Sequence, residues 1–399
     1  MSRRSAAAAG PGPVGAGEAA ARSGARRVVI SSFDSAGNPH YNGGGAVIVD
    51  MIADRLAGHF EVTVVTAGRR GGTVVRDGVR YRQLPIGWAG PRAGQLMFHA
   101  LLPFAARRIP HDLWIENFTP PFSTSFLPLF SRGRDMGLAQ NFCGKEMLRR
   151  YRLPFFLVER FGLRFYSDVV VLNPADHALV SRYSPSATVR VIPNGIQKRR
   201  LDERALGRGE YVLFLGRVDI WEKGLDLLLA AYERSGLATP MLVAGTGTRR
   251  EERRLAALVA ATRGDVRWLG YVTGEDKREL LERSAFVLVP SRHETFSLAA
   301  LESMSCGKPV VHFDLPTLRW MDGDVRVPPF DVGALAREMR HLAGDEAARR
   351  ELGRTAHATA QRYGRDETAD RYFTVVQELL SAPGADTAME GSPPCQQTC

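Results

Sequence analysis

The sequence predicts an α/β protein with two domains, each built on a parallel β-sheet that helices cover on both faces. Short apolar runs, typical of buried strands, alternate along the chain with stretches of helical periodicity. A polar and charged stretch at residues 194–209 interrupts this alternation, which then starts again. A chain of 399 residues is also long for one domain and comfortable for two. We therefore interpret 194–209 as a linker.

The first domain is predicted over residues 26–193. Its strands are short apolar or alternating runs, expected at 27–32, 61–66, 79–84, 113–115, 136–140, 168–172 and 188–192. Its helices carry apolar residues at helical spacing and are expected at 46–56, 95–108 and 146–165. A break in the last helix is expected at Pro154. Before the first helix the chain reads Gly43, Gly44 and Gly45, which would expose backbone N–H groups but is also ordinary turn chemistry.

The second domain is predicted over residues 210–364. Its strands are expected at 211–215, 241–244, 266–269, 285–289, 309–313 and 325–327. Its helices are expected to end at Tyr232, to span 276–283, to follow Phe296, and to begin at Val332 and Glu346. A last helix at 365–381 is predicted to pack back on the first domain. Residues 1–25 and 382–399 are rich in small and polar residues and are expected to be disordered tails.

The stretch 290–302 carries the clearest functional signal. A buried strand leads into a loop and then a helix, which is where open parallel sheets bind ligands. Free N–H groups that suit a phosphate are expected near Thr295, Ser297 and Leu298. Glu294 and Glu302 flank them, and carboxylates accept hydrogen bonds from hydroxyls. A nucleotide sugar fits this combination, although a surface helix with a capping glutamate stays open as an alternative.

A second candidate ligand-binding loop, which carries two cations, is expected after the strand 211–215. Gly216 is followed by Arg217, and Lys223 comes six residues later. An arginine can fork two phosphate oxygens, and a lysine supplies a point charge. Two cations aimed at a leaving diphosphate would stabilise the charge that develops on it. On their own, however, the two residues could equally be ordinary surface cations.

These stretches resemble the motifs of retaining glycosyltransferases with the GT-B fold, family 4 in particular. The matching motifs are Glu-x7-Glu ending at Glu302, the run Ser-Met-Ser-Cys-Gly-Lys-Pro-Val-Val at 303–311, and Gly-Arg-x5-Lys-Gly-x-Asp from Gly216. The resemblance covers roughly residues 27–380 and is strongest over 209–312. It implies two Rossmann-like domains that face each other across a cleft. It also implies transfer of a sugar from a nucleoside-diphosphate sugar, with UDP-sugars as first candidates.

The resemblance implies a role for each matching residue. Arg217 and Lys223 would hold the donor diphosphate, Glu294 the hydroxyls of the transferred sugar, and Glu302 the ribose. Further contacts are implied around the cleft, the nucleobase meeting the backbone near Val272: Gly43, Gly44, Gly45, Gln140, Asn141, Asn194, Gly216, Val272, Thr295, Phe296, Ser297 and Leu298. No metal or other cofactor is expected. Asp322-Gly323-Asp324 looks like a metal motif, but we interpret it as turn chemistry.

Two departures from the family pattern are visible. The family usually reads Glu-Gly-Phe-Gly where this chain has Glu294-Thr295-Phe296-Ser297, so bulkier side chains narrow the approach to the backbone. Many members also carry a histidine on the first domain, where this chain reads Gln140-Asn141, and His40 in the glycine loop is the nearest candidate to replace it. An amide cannot share a proton at neutral pH. A non-catalytic nucleotide-sugar binder therefore stays open, as does an epimerase or hydrolase on the same fold.

Charge is divided unevenly along the chain. Residues 1–200 hold 27 Lys and Arg against 13 Asp and Glu, whereas the remainder holds 26 against 30. An anionic partner would therefore meet the first half. One hypothesis is an anionic acceptor, such as a lipid phosphate or a phosphorylated natural-product intermediate. The alternative is a set of arginines spread over a solvated surface.

Two predicted helical stretches bear on membranes and location. Residues 96–108 and 147–165 combine Leu, Phe and Tyr with arginines, so they could lie on an anionic membrane or form core on one side. No apolar run approaches the length of a transmembrane helix, and four scattered cysteines form no disulfide framework. A cytoplasmic location is expected, with peripheral contact at the inner membrane face as a hypothesis. Nucleic acid is not expected as a partner.

Overall fold

The computed structural model describes residues 25–34, 44–119, 122–142, 144, 148 and 152–382, without the side chains of residues 91 and 92. The predicted tails, except residues 25 and 382, lie outside the described residues, as do Gly43 and His40. Most of residues 146–151, in the predicted helix 146–165, also lie outside them.

The first domain contains eight strands and four helices among its described residues. The strands are β1 (Arg27–Ser31), β2 (Glu61–Gly68), β3 (Gly72–Arg76), β4 (Val79–Pro85), β5 (Leu113–Asn117), β6 (Arg134–Ala139), β7 (Asp168–Val171) and β8 (Thr188–Val191). The helices are α1 (Gly44–Ala57), α2 (Gly90–Arg108), α3 (Phe155–Leu163) and α4 (Pro174–Tyr183). The sheet order is β3-β4-β2-β1-β5-β6-β7-β8, and only the β3–β4 pair is antiparallel among these strands.

The centre of this sheet is buried on both faces. Val28 on β1 pairs in register with Val62 on β2 and Leu113 on β5. Val28 packs in the cluster that contains α1, whereas Val29 packs on the opposite side against Phe98 of α2. Helices on both faces explain why these strands are continuous apolar runs rather than alternating ones.

The second domain contains a six-stranded parallel sheet. Its strands are β9 (Tyr211–Leu215), β10 (Met241–Ala244), β11 (Val266–Gly270), β12 (Ser284–Val289), β13 (Val310–Phe313) and β14 (Asp324–Val327), in the order β11-β10-β9-β12-β13-β14. Its helices, with the C-terminal one, are α5 (Leu225–Ser235), α6 (Arg249–Ala261), α7 (Gly274–Glu282), α8 (Leu298–Ser305), α9 (Val332–Gly344), α10 (Glu346–Ala360) and α11 (Arg365–Ser381). The strand order reverses between β9 and β12, which is where such sheets bind ligands.

The predicted α/β class with two parallel sheets is confirmed, and three elements are additions. β3 is an exposed edge strand, outside any pattern of alternating strands and helices. α4 begins at an Asn173 cap, and α6 is a mostly polar helix that fully buries only Leu255. The break predicted at Pro154 within the helix 146–165 is present, since α3 starts directly after Pro154, whose ring cannot continue a helix from the preceding turn.

The last helix, α11, lies against the first domain. Its Tyr372 and Val376 are fully buried in one cluster with Ile48 and Ile52 of α1. The chain connects the domains twice, and the two connections are bonded, since Ile196 N donates to Tyr363 O at 3.0 Å. The chain thus returns from the second domain, and its helix α11 packs on the first domain.

A buried carboxyl group predicts how stability depends on pH. Glu116 on β5 accepts hydrogen bonds from Ser125 N at 2.8 Å and from the Tyr166 hydroxyl. Burial raises the pKa of Glu116 to about 7, against hydrogen bonds that lower it. The folded state therefore holds a proton that the unfolded chain releases near its ordinary pKa. The stability contributed by this group is complete below that ordinary value and is lost as the pH rises through about 7.

We expect Glu116→Gln to melt at a higher temperature than the unmodified protein at pH 8, and to lose less stability between pH 5 and 8. Thermal melting at several pH values measures both effects. Glu203→Gln, at an exposed carboxylate paired with Arg354, is the control and should follow the unmodified protein. Parallel curves for Glu116→Gln and the unmodified protein would contradict the prediction.

Candidate active site

The loops that follow β9 and β12 lie side by side, because these two strands are neighbours in the sheet. Arg292 N donates to Glu222 O at 2.9 Å, which joins the two loops through their backbones. Gly224 has φ +65°, and a Cβ there would stand 1.9 Å from Pro290 O. Only glycine permits so close an approach, which explains the glycine after Lys223.

An ion pair fixes the same two loops further. Arg292 donates from Nη1 to Asp226 Oδ1 at 2.8 Å and from Nη2 to Oδ2 at 2.7 Å. Its Nη1 also donates to Trp221 O at 2.8 Å. A forked pair of this kind sets orientation as well as distance. Sequence reasoning quoted Asp226 within a motif without a role and missed Arg292, whose signal was its place two residues before Glu294.

The predicted cation and carboxylate are in direct contact. Lys223 Nζ lies 2.6 Å from Glu294 Oε1, and these side chains are only 18% and 11% exposed. The same carboxylate oxygen accepts from Ser291 Oγ at 2.9 Å. The Glu294 backbone oxygen accepts from Thr317 Oγ1 at 2.5 Å. The structure therefore brings these two predicted residues to one point and anchors Glu294 from both ends.

Arg217 lies on the same loop as Lys223 and is about half exposed. Its Nη2 donates to Glu222 Oε1 at 2.5 Å. Burial opposes ionisation of Glu222, yet the charges of Arg217 and Lys223 outweigh it and lower the pKa of this carboxyl. Both cations are thus held by carboxylates of their own domain, in positions from which they could exchange those partners for phosphate oxygens.

Two helix N-termini meet across the cleft. A Cβ at Gly44, the first residue of α1, would stand 2.8 Å from Leu298 Cδ1 at the start of α8. Ser297 precedes α8 with φ +66°, a left-handed conformation normally left to glycine, and its hydroxyl accepts from Ala300 N at 3.4 Å. Serine thus adopts a conformation that favours glycine and also provides a helix cap. The first N–H groups of each helix have no intrahelical partner.

Asp34 lies beside this junction and was missed from sequence. A Cβ at Gly45 would stand 2.9 Å from Asp34 Oδ2, so the carboxyl group lies against the first turn of α1. Burial raises the pKa of Asp34 to about 6, while the charge of Arg217 across the cleft lowers it. The only sequence signal was its position just after β1.

The predicted pair Gln140 and Asn141 separates in the structure. Gln140 Oε1 accepts from Asn194 Nδ2 at 3.1 Å, so these two predicted residues contact each other at the connection between the domains. Asn141 Oδ1 instead contacts His293 Nε2 at 2.9 Å and Thr295 Oγ1 at 3.1 Å. Only Asn141 of the pair therefore lies against the loop that carries Glu294.

The side chain of Phe296 is buried in the core and does not face the cleft. Its side chain is 2% exposed and stacks on Trp320, with ring centroids 4.5 Å apart. Its backbone oxygen accepts from Trp320 Nε1 at 3.1 Å. The predicted substrate contact of Phe296 is therefore limited to its backbone, and the ring holds the loop onto the core.

Of the remaining predicted residues, two lie beside α7 and one follows β9. Glu302 accepts from Lys277 Nζ of α7 at 2.7 Å, a partner that sequence reasoning missed. Val272 lies between β11 and the start of α7 and packs partly buried against the cluster that contains Leu280. Gly216 follows β9, where its N–H donates to Ala244 O at 3.0 Å. Glu302 and Val272 thus flank α7, beyond the Lys223–Glu294 contact.

Asp322 and Asp324 form separate ion pairs on either side of a turn. Gly323 has φ +78°, Asp324 Oδ2 lies 2.9 Å from His312 Nε2, and Asp322 pairs with Arg362 at 2.7 Å. Within the described part of the chain, no group of three or more His, Cys, Asp or Glu side chains could hold a metal ion.

Comparison with known proteins identifies a known family in both domains. Residues 43–195 match a family model described as "Glycosyl transferase 4-like domain", and residues 209–345 match one described as "Glycosyl transferases group 1". The chain belongs to the GT-B glycosyltransferases. The first matched region of this GT-B chain contains β2 to β8 of the first sheet, and the second contains the whole second sheet with Arg217, Lys223, Glu294 and Glu302.

Curated relatives of this GT-B chain resemble it over part of their length. It is 32% identical to D-inositol 3-phosphate glycosyltransferase of Salinispora tropica over 219 residues, which are 51% of this chain and 45% of that protein. It is 28% identical to phosphatidyl-myo-inositol mannosyltransferase of Mycolicibacterium smegmatis over 246 residues, 58% and 63% of the two chains. The chain spans about half the length of the first of the curated relatives it matches.

Solved GT-B structures share the fold at low sequence identity. Sucrose-phosphate synthase from Thermosynechococcus elongatus superimposes with a TM-score of 0.74 and 20% identity, covering 90% of this chain and all of the other. HepE of Anabaena, solved in complex with UDP and glucose, gives a TM-score of 0.65 and 17% identity over 88% of this chain and 99% of that one. At these identities the likeness shows the fold alone.

Proposed function

We propose that this GT-B protein is a retaining glycosyltransferase that moves a sugar from a nucleoside-diphosphate sugar to a hydroxyl group of an anionic acceptor. The observation that carries the proposal is the contact between Lys223 and Glu294, with Arg217 and the start of α8 beside it. Cations and a helix N-terminus suit a diphosphate, and a carboxylate suits sugar hydroxyls. UDP-sugars are the first candidate donors.

The reaction follows from the exchange of partners at this site. A donor diphosphate would take over Lys223, and a hydroxyl of the transferred sugar would donate to Glu294 in its place. As the bond between the sugar carbon and the phosphate oxygen breaks, the diphosphate gains charge that Arg217 and Lys223 stabilise. The acceptor hydroxyl attacks from the same face and passes its proton to the leaving phosphate oxygen. This route requires no basic side chain at Asn141.

Two sources support the choice of substrates. HepE, which shares the fold, was solved with UDP and glucose and with UDP-glucose. Two relatives are named for inositol 3-phosphate and for phosphatidyl-myo-inositol, both of which carry phosphate. The excess of Lys and Arg in residues 1–200 would attract such a negatively charged acceptor to the first domain.

A screen of nucleotide sugars tests the proposal. Each UDP-sugar is incubated with the protein, with and without phosphorylated polyols or phosphoinositides, and products are followed by mass spectrometry. Nucleotide release that requires a co-substrate, with the donor's anomeric configuration kept in the product, is the expected result. Release or epimerisation without a co-substrate would instead establish a hydrolase or epimerase. Binding without turnover would establish a nucleotide-sugar binder.

The first domain also carries an exposed surface that we call the apolar face. α2, residues 122–134 and α3 are joined by ring contacts of Phe122 with His99 and with Phe155, at 5.6 and 5.3 Å. Six apolar side chains on these segments or directly before α3 are 45–56% exposed: Leu96, Phe104, Leu129, Leu153, Leu157 and Phe161.

The charges around the apolar face have one sign. Its exposed arginines are Arg107, Arg108, Arg132, Arg152 and Arg164. α2, residues 122–134 and residues 152–164 contain a single carboxylate, Glu159, and it is buried. An apolar surface surrounded by cations fits a membrane that carries anionic lipids. We propose that the apolar face rests on such a membrane, which would bring a lipid-linked acceptor to the cleft.

Vesicle flotation tests the membrane proposal. The protein is expected to float with phosphatidylglycerol vesicles at low salt and to dissociate as salt rises. Leu157→Glu with Phe161→Glu should weaken binding more than tenfold, because charges replace apolar groups that the membrane would cover. The matched control is Val74→Glu with Val75→Glu, at equally exposed residues of the edge strand β3, and it should still float. Absence of binding at low salt would contradict the proposal. Among the described residues, no helix has the length and apolar character to cross a bilayer.

A further inference from the structure

The two departures from the family pattern meet at one atom. Asn141 follows β6 of the first domain, and its Oδ1 accepts from Thr295 Oγ1 of the second domain at 3.1 Å. His293 Nε2 lies 2.9 Å from the same oxygen. A carboxamide oxygen only accepts hydrogen bonds, so His293 carries its proton on Nε2 in this arrangement. Both lone pairs of the Asn141 oxygen are thus used by the opposite domain.

Thr295 is also bonded to the first domain through its backbone. Asn173 Nδ2 donates to Thr295 O at 2.9 Å. Asn173 itself is fixed, because its Oδ1 caps α4 by accepting from Asp176 N at 2.9 Å. Asn141 and Asn173 follow β6 and β7, which are neighbours in the sheet. Two strand ends of the first domain therefore hold one residue of the second.

These hydrogen bonds hold the two residues next to Glu294, the carboxylate proposed to bind the transferred sugar. His293 and Thr295 stand on either side of Glu294, and both contact the same Asn141 oxygen. A glycine at position 295, as in the family pattern, would have no hydroxyl for this contact. Separation of the domains would break all three bonds together and free both neighbours of Glu294.

We propose that Asn141, His293 and Thr295 form an interdomain latch that closes the cleft and positions Glu294. The three are positioning residues, and the Thr295–Asn141 bond occupies the place where the family pattern has a glycine and a histidine. The two departures are therefore a coupled pair. The kinetic consequence of this inference rests on the proposed function, whereas its structural consequence does not.

Matched substitutions at Thr295 test the structural consequence. Thr295→Val removes the hydroxyl and keeps the shape of the side chain, whereas Thr295→Ser keeps the hydroxyl. In the full-length protein without substrate, small-angle scattering should give a larger radius of gyration for Asn141→Ala and for Thr295→Val than for the unmodified protein. Thr295→Ser should leave it unchanged. An unchanged radius for both Asn141→Ala and Thr295→Val would overturn the latch, and circular dichroism verifies that each variant is folded.

Kinetics test the positioning of Glu294. Asn141→Ala and Thr295→Val should each lower kcat/KM for the donor by roughly three- to tenfold, which corresponds to the loss of buried hydrogen bonds. Thr295→Ser should stay near the unmodified protein. The double variant should lose no more than Asn141→Ala alone, because both changes remove the same bond. Losses that multiply would overturn the coupling. If neither the unmodified protein nor any variant transfers sugar, but the radii of gyration differ as expected, the result supports the latch and contradicts the proposed function.

Discussion

Lys223→Ala is expected to lower kcat/KM by roughly 10²–10³-fold, as does the removal of one group that stabilises transition-state charge. Adding Arg217→Ala should lower it further. The two cations lie on one loop, each held by a carboxylate of the second domain, Glu294 for Lys223 and Glu222 for Arg217. Alanine at 223 removes the positive charge where negative charge develops and leaves Glu294 there uncompensated. Rate and diphosphate affinity should therefore fall together.

Steady-state kinetics and calorimetry with UDP measure the two effects separately. Arg267→Ala is the matched control, since this arginine pairs with Asp265 on the surface and its side chain is 62% exposed. It should change neither quantity by more than twofold, as surface ion pairs contribute little. Unaltered turnover and UDP affinity in Arg217→Ala with Lys223→Ala would remove the basis for the proposed function.

Much of the second domain could be predicted from the sequence for a simple physical reason. Strands buried on both faces are short apolar runs, so β9 and β10 were predicted with the bounds that the structure has. The carboxyl ends of neighbouring parallel strands meet at one edge, so loops from β9 and β12 had to converge. The sequence predicted Lys223 and Glu294 at one ligand site, and this convergence explains why they are in direct contact although they are far apart in the chain.

Other features depend on contacts that no local pattern records. The bond that Thr295 donates to Asn141 requires the placement of the two domains, and the bond that Asn194 donates to Gln140 requires the ends of β6 and β8 to lie close together. Periodicity contains neither kind of information. The edge strand β3 has five exposed residues and lacks the apolar run of a buried strand. The positive φ of Ser297 is also hidden, because serine rarely adopts it and the loop imposes it.

Glu294→Gln and Glu302→Gln are expected to affect different parts of the donor. Under the proposed function, Glu302 accepts hydrogen bonds from the ribose hydroxyls, and Glu294 accepts hydrogen bonds from hydroxyls of the transferred sugar. UDP contains the ribose and lacks that sugar. Glu302→Gln should therefore weaken UDP and UDP-sugar by the same factor, roughly 10- to 100-fold, since hydrogen bonds to charged groups contribute about 1.5–3 kcal/mol. Glu294→Gln should lower kcat by a similar factor while UDP binds at least as tightly, because Lys223 loses its competing carboxylate.

Nucleotides that lack one ribose hydroxyl decide whether Glu302 acts as proposed. If Glu302 accepts a hydrogen bond from that hydroxyl, deoxy-UDP should bind the unmodified protein as weakly as UDP binds Glu302→Gln. Deoxy-UDP and Glu302→Gln together should then lower the affinity no further. Lys277→Ala is the control, because it removes the partner that lies 2.7 Å from Glu302 and leaves the carboxylate in place. That variant should still distinguish UDP from deoxy-UDP. If instead the losses from deoxy-UDP and Glu302→Gln multiply, Glu302 supports α7 through Lys277 and the ribose binds elsewhere.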